Sequence, residues 1–338
     1  MMKRAVVSPD SSGEDRLIAR HFRPLATHPG ALKLIDDVAE MSVPPGHDLV
    51  LKTDPIISGV HCFPDDPPGA VAKKALRVNL SDLAAKGATP LGFLLALALP
   101  EGIGDAWLAA FAAGLGEDAE AYGCPLLGGD TDRTPGPLTV AISALGTVPH
   151  ATMVRRSGAR PGDRIVVTGT IGDAALGLGL RRDPLAAARW GLDEAMRAYL
   201  LRRYLIPEPR NVIAEALRCY AHGGMDISDG LAGDLAKMSR ASQVTGTVEV
   251  ARVPLSDAAR RVLDAEPALM DSILTGGDDY EVLASVPPHS VGSLVAEGLA
   301  SGVTVTEIGI MAVGEGKARF LGRDGTELSF VRPSFSHF

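Results

Sequence analysis

Carboxylates recur at six separate places along this chain, each beside small, turn-forming or hydroxyl residues. They are Asp36-Asp37, Thr53-Asp54, Ser81-Asp82, Gly128-Gly129-Asp130-Thr131, Asp226-Ile227-Ser228-Asp229 and Gly276-Gly277-Asp278-Asp279. Aspartates brought to one place repel one another strongly unless divalent cations neutralise them. A fold for this chain must either scatter these segments or gather them around bound metal. Oxygen ligands suit Mg²⁺, and glycine lets backbone N–H groups approach phosphate oxygens. Gathered together, the segments predict a site for Mg²⁺ and a polyphosphate. Singly, each is more simply a solvated loop aspartate or a helix N-cap.

The length of 338 residues suits about two domains. The hydrophobic share of 46% supports a sizeable core. A net charge of −8 argues against a nucleic-acid binder. Cys62, Cys124 and Cys219 lie far apart with no Cys-x-x-Cys spacing, which argues against a zinc site or disulfide framework and predicts a reducing compartment. The opening residues carry no apolar stretch of signal-peptide length, and the longest apolar run, Leu91 to Leu99, is too short to span a bilayer. The expectation is a soluble, cytoplasmic protein with no membrane or nucleic-acid partner.

Apolar runs and helical spacing alternate along the chain. Strands are predicted at 49–54, 91–99, 124–127, 138–148, 164–168, 280–286 and 303–310. Helices are predicted from Ser12, at 70–86, 105–122, from Ile171, at 193–204, 208–221, 231–239 and 290–301. Gly128–Thr131 reads as a turn after its strand. Val154 to Asp163 is a polar, Gly- and Pro-bearing junction, so a domain boundary is expected near it. The alternation makes the class α/β or α+β.

In the Gly128–Thr131 turn the glycines would expose backbone donors to phosphate and Asp130 would hold a metal. In Asp226–Gly230, Asp226 and Ser228 point the same way if the segment is extended, and Ser228 or Asp229 could cap the helix that follows. A helix N-terminus behind them also favours an anion. His61, alone, is more often structural than ligating. Arg156 is either a surface charge or a clamp on phosphates. The chain has no Gly-x-x-x-x-Gly-Lys-Ser/Thr loop, no Gly-x-Gly-x-x-Gly after a strand and no protein-kinase His-Arg-Asp loop, so phosphate handling must use another architecture.

The segments Asp36-Asp37, Thr53-Asp54 with Gly59-Val60-His61, Lys74 to Ala88, Gly128–Thr131, Arg156–Ala159, Asp226–Leu231, Gly276–Glu281 and His337-Phe338 form an ordered set spanning nearly the whole chain. That set resembles the thiamine-monophosphate kinase family of the aminoimidazole-ribonucleotide-synthetase superfamily. The resemblance implies direct, in-line transfer of the ATP γ-phosphoryl group to thiamine monophosphate, with several Mg²⁺ ions. It implies a two-domain PurM-like fold. Residues 1–150 would form an amino-terminal metal- and ATP-binding domain that dimerises into a β-barrel. Residues 151–338 would form a carboxy-terminal layered α/β domain, with the nucleotide in a cleft between the two. Carried over by position, Asp37, Thr53, Asp54, Asp82, Asp130, Asp226 and Asp229 would be metal ligands. Gly129, Asp130, Arg156 and Ser228 would line the ATP site. His61 and Asp278 would contact thiamine monophosphate, with Phe335 stacking on its pyrimidine ring. Asp130, Arg156 and Asp229 would carry the chemistry.

Three positions depart from the family pattern. Ile35 replaces the usual glycine before the double aspartate, Lys52 replaces a Ser or Thr, and Asp278 replaces Glu. A charged lysine cannot ligate Mg²⁺, and Asp278 is one methylene shorter than Glu. Two alternatives stay open: a related ATP-dependent enzyme with another substrate, and, kept open by Ile35 and Lys52, a non-catalytic paralogue that binds nucleotide or thiamine phosphate.

Overall fold

The computed structural model describes residues 12–332 and Ser334; Phe335 and the His337-Phe338 pair lie outside the described residues. The chain divides into two compact units. One comprises the described residues up to Leu80 together with Pro90–His150; the other comprises Ser81–Thr89 together with the described residues from Ala151 onward.

The first unit is built on a four-stranded sheet. Its strands are β1 (His47–Ile57), β2 (Thr89–Leu99), β3 (Leu126–Arg133) and β4 (Thr139–Pro149), in the order β1-β4-β2-β3. β1 and β4 are antiparallel, whereas β2 and β3 are parallel. Alternation along a strand sends successive side chains to opposite faces. Phe93, Leu95, Leu97 and Leu99 of β2 and Val140, Ile142 and Ala144 of β4 are buried. Helices Pro68–Ala85 and Asp105–Ala121 add Leu76, Leu80, Phe111 and Leu115 to the core. On the other face, among the described residues, Leu51 of β1 is 69% exposed, and Leu49 and Leu94 are also exposed.

Asn79, fully buried on helix Pro68–Ala85, ties that helix to β1. Its Oδ1 accepts from Asp54 N at 2.9 Å, and its Nδ2 donates to Ala75 O at 3.0 Å and Asp54 O at 3.3 Å.

The second unit carries a six-stranded sheet of β5 (Arg164–Thr168), β6 (Gly223–Asp226), β7 (Val244–Glu249), β8 (Val282–Val286), β9 (Val305–Val313) and β10 (Ala318–Leu321), ordered β10-β7-β9-β5-β8-β6. β5 and β8 are buried on both faces. Ile165 and Val167 of β5 enter one hydrophobic core with Leu176, Leu235 and Met238, while Val166 enters another with Leu217 and Leu294. That two-sided burial explains why β5 and β8 are continuous apolar runs rather than alternating ones.

Gly128–Thr131 is not a turn. It is the extended middle of β3, paired with Leu94–Leu97. The glycines serve close approach here: a Cβ on Gly129 would stand 1.8 Å from Leu95 O. Strands β6, β7 and β10, and helix Asp257–Ala265, were not expected from the pattern.

Candidate active site

In the first unit, Asp36, Asp37, Gly128, Gly129, Asp130 and Thr131 share one cavity of about 480 Å³, whose remaining wall is largely apolar. Asp37 and Asp130 are exposed, and Asp130 Oδ1 accepts from Thr131 N at 3.0 Å. Thr53 and Asp54 lie on β1, the opposite edge of the sheet from β3. Three strand spacings separate the edges, about 14 Å, so Asp54 and Asp130 of one sheet do not serve one ion. Thr53 Oγ1 donates to Ile142 O at 3.0 Å and accepts from Ser143 Oγ at 3.1 Å. Asp54 faces the same side of β1 as Lys52, whose ammonium lies 2.9 Å from its Oδ2. Ile57 N donates to His61 Nδ1 at 3.0 Å, so the neutral ring carries its proton on Nε2.

In the second unit, the segment after β6 runs beside the loop before β8. Asp278 N donates to Ser228 O at 2.9 Å, Tyr280 N to Ile227 O at 2.8 Å, and Ile227 N to Glu281 O at 2.8 Å. These bonds bring Asp226, Ser228 and Asp229 alongside Asp278. Ser81 Oγ lies 3.5 Å from Tyr280 O, which sets the Asp82 turn of its helix by the same loop. Asp226 is buried, and Asp82, Ser228, Asp229 and Asp278 are half-buried. Arg156 is exposed on a 3₁₀ turn whose neighbour Arg155 bridges to Gly223. That is the far end of β6 from Asp226, about 10 Å along the strand.

Neither Ser228 nor Asp229 caps helix Leu231–Ser242. Gly230, at φ 102, is the N-cap, and no side chain bonds there. The segment is instead held by Asp234, whose Oδ2 accepts from Ser228 N at 3.0 Å and Asp229 N at 2.9 Å. Lys237 bridges Asp229 and Asp234. Burial pushes the Asp234 carboxyl up, with the Lys237 ammonium opposing. Asp234 and Lys237 were invisible as site residues in the sequence; their only signal is the i, i+3 charge pair.

Glu281 was read only as part of its motif. It is fully buried and ion-paired with Arg210 and, at 2.8 Å, with Arg203; Thr168 Oγ1 donates to it at 2.6 Å. Asp279, also buried, accepts from Gly172 N at 2.8 Å. Above this base, Asp278 and Tyr280 hold φ of 71° and 51°. Such backbone costs about 1–3 kcal/mol per residue and persists only where surroundings over-determine it.

Among the described residues, no three His, Cys, Asp or Glu side chains stand close enough to hold one metal ion. The donors that a hard cation needs are present as oxygens, yet Asp54 and Asp229 already carry ammonium partners. No described helix is long and apolar enough to cross a membrane.

Two family models match the chain: AIR synthase related protein, N-terminal domain, over residues 35–148, and its C-terminal domain over residues 160–321. The thiamine-monophosphate kinase of Caulobacter vibrioides is 43% identical over 314 residues, covering 91% of this chain and 87% of that protein. The chain belongs to the thiamine-monophosphate kinase family. The crystal structure of the Stenotrophomonas maltophilia K279a member superposes with a TM-score of 0.81 at 34% identity, covering 93% of this chain and 96% of that one. AaThiL complexed with AMPPCP and TMP gives a TM-score of 0.75 at 30% identity, covering 90% and 92%. The fold is the two-domain α/β, PurM-like fold of this family.

Proposed function

We propose that this protein transfers the γ-phosphoryl group of ATP directly to thiamine monophosphate, giving thiamine diphosphate and ADP. The observation that carries the reading is the cavity that joins Asp37, Gly129 and Asp130 to an apolar wall, in a chain of this family. An apolar wall suits a nucleotide base, and glycine backbone beside carboxylates suits a metal-bound polyphosphate. The complex of AaThiL with an ATP analogue and TMP supports the same pair of substrates.

The acceptor is a phosphate oxygen, already anionic at neutral pH, so no strong general base is required. Repulsion between two anions opposes the reaction, and catalysis is mainly positioning and charge stabilisation. Arg156 would clamp phosphate, and Gly129 and Ser228 would line the nucleotide site. His61, through Nε2–H, and Asp278 would bind thiamine monophosphate, together with Phe335 beyond the described residues. Asp37, Thr53, Asp54, Asp82, Asp130, Asp226 and Asp229 would hold Mg²⁺, which when bound supplies neutralisation of the phosphates. Lys52 and Lys237 each hold one oxygen of Asp54 and Asp229, so a cation would share these carboxylates with an ammonium or displace it.

The protein would act as a homodimer. The first unit's open sheet shows exposed leucines on one face and leaves the Thr53-Asp54 edge far from the Asp130 edge. Closing two such sheets into a barrel covers that face and both edges. The absence of any cysteine pairing, with Cys62 and Cys124 buried, fits a cytoplasmic setting.

ADP formation that requires both thiamine monophosphate and Mg²⁺ is the expected result of a coupled assay. The Lys52–Asp54 pair favours a second reading, a paralogue that binds nucleotide without turnover. Tight nucleotide binding with no ADP formed would support that reading instead.

A further inference from the structure

Two residues of one short loop hold backbone angles that side-chain-bearing residues rarely adopt, and they are bonded to each other. The Tyr280 hydroxyl donates to Asp278 Oδ1 at 3.3 Å, closing a small ring across residue 279. A bulky aromatic residue at positive φ is an outlier, and such outliers gather at ligand sites. Tyr280 is only 8% exposed, so its ring is fixed in place. Below it, Glu281 is locked by Arg203 and Arg210. Beside it, Asp278 N is held by Ser228 O, and a Cβ on Gly277 would stand 2.3 Å from that same oxygen. The loop is pinned from three directions, and Asp278 is left half-buried at its tip.

A phenylalanine ring would fill the same space. One thing that the hydroxyl adds at this loop is its bond to Asp278. A carboxylate on a short side chain can still turn about its last torsion, and a donor on Oδ1 settles that torsion and aims Oδ2. Thiamine monophosphate offers a carboxylate two partners: an exocyclic amine on the pyrimidine and a positively charged thiazolium ring. We propose that Tyr280 is a positioning residue for substrate recognition, orienting Asp278 so that its second oxygen meets the amine or the cationic ring. This inference rests on the kinase reading above, in which Asp278 contacts thiamine monophosphate.

The test is a four-way comparison of the full-length protein: wild type, Tyr280→Phe, Asp278→Gly and the double variant. Glycine suits the left-handed backbone at 278. Tyr280→Phe is expected to raise KM for thiamine monophosphate on the order of tenfold, leaving kcat, KM for ATP and the melting temperature unchanged. Adding Tyr280→Phe to Asp278→Gly is expected to cost nothing further, because the group it positions is gone. An unchanged KM in Tyr280→Phe would overturn the proposal, as would an equal loss in both backgrounds or a rise in both KM values. If Tyr280→Phe melts early, calorimetric binding of thiamine monophosphate at low temperature in the same four proteins reads the same coupling. Wild type that neither binds nor phosphorylates thiamine monophosphate overturns the kinase reading and this proposal together; activity with no Tyr280–Asp278 coupling overturns this proposal alone.

Discussion

Lys52 stands two residues from Asp54 on one face of β1, and its ammonium occupies the carboxylate that the family resemblance assigns to metal. Both side chains are partly exposed, so the pair contributes little, about 0–1 kcal/mol. Lys52→Thr should therefore raise Mg²⁺ affinity by up to about fivefold, read by cation titration without turnover. Unchanged affinity would retire the idea that Lys52 competes with a metal at Asp54. Asp279 gives a pH signature. Burial pushes its carboxyl well above the ordinary range, Asp173 and Glu281 add to that, and the Gly172 N–H and Arg203 oppose it. The folded protein thus holds this proton more tightly than the unfolded chain does. Its contribution to stability is full below about pH 4 and declines as pH rises toward the raised value, by at most about 1.4 kcal/mol per pH unit. Asp279→Asn keeps an acceptor for Gly172 N and removes the titration. The melting temperature of that variant should gain on wild type as pH is raised from about 5 to about 7; a constant difference would contradict the assignment.

At the scale of elements, long apolar runs and Ala/Leu helical spacing were legible because burial alone specifies them. The strand read at 91–99 is β2, Thr89–Leu99, and the helix read at 70–86 is Pro68–Ala85. Gly128-Gly129 was misread because paired glycines usually mark turns, whereas here they let β3 approach Leu95. β6 was missed because four residues starting with Gly223-Gly224 carry no periodic signal. Of the candidate site, the aspartates were visible because glycine and serine flank them. Their supports were not: Asn79 and Arg203 act across the fold, where spacing along a chain does not encode contacts, and Asp234 shows in the sequence only as a local charge pair with Lys237. Asn79 offers the cleanest test of a support. Asn79→Ala removes its bonds to Asp54 and Ala75 and should cost about 1–3 kcal/mol in denaturant unfolding. A loss under about 0.5 kcal/mol would mean that β1 is held to its helix by packing alone.

For the whole molecule, the exposed leucines of the first unit's sheet predict self-association. Leu51, 69% exposed, is the place to test it. Leu51→Lys should convert a dimer to a monomer in sedimentation equilibrium, since a buried, unpaired ammonium is costly. A wild type that is already monomeric at micromolar concentration would retire the barrel. Direct transfer between two phosphates is tested by the fate of a label. With ATP labelled in its γ-phosphate, Mg²⁺ and thiamine monophosphate, the account predicts label in the terminal phosphate of thiamine diphosphate, one per ADP formed, with none left on the protein. Label released as inorganic phosphate, or retained on the chain, would contradict it.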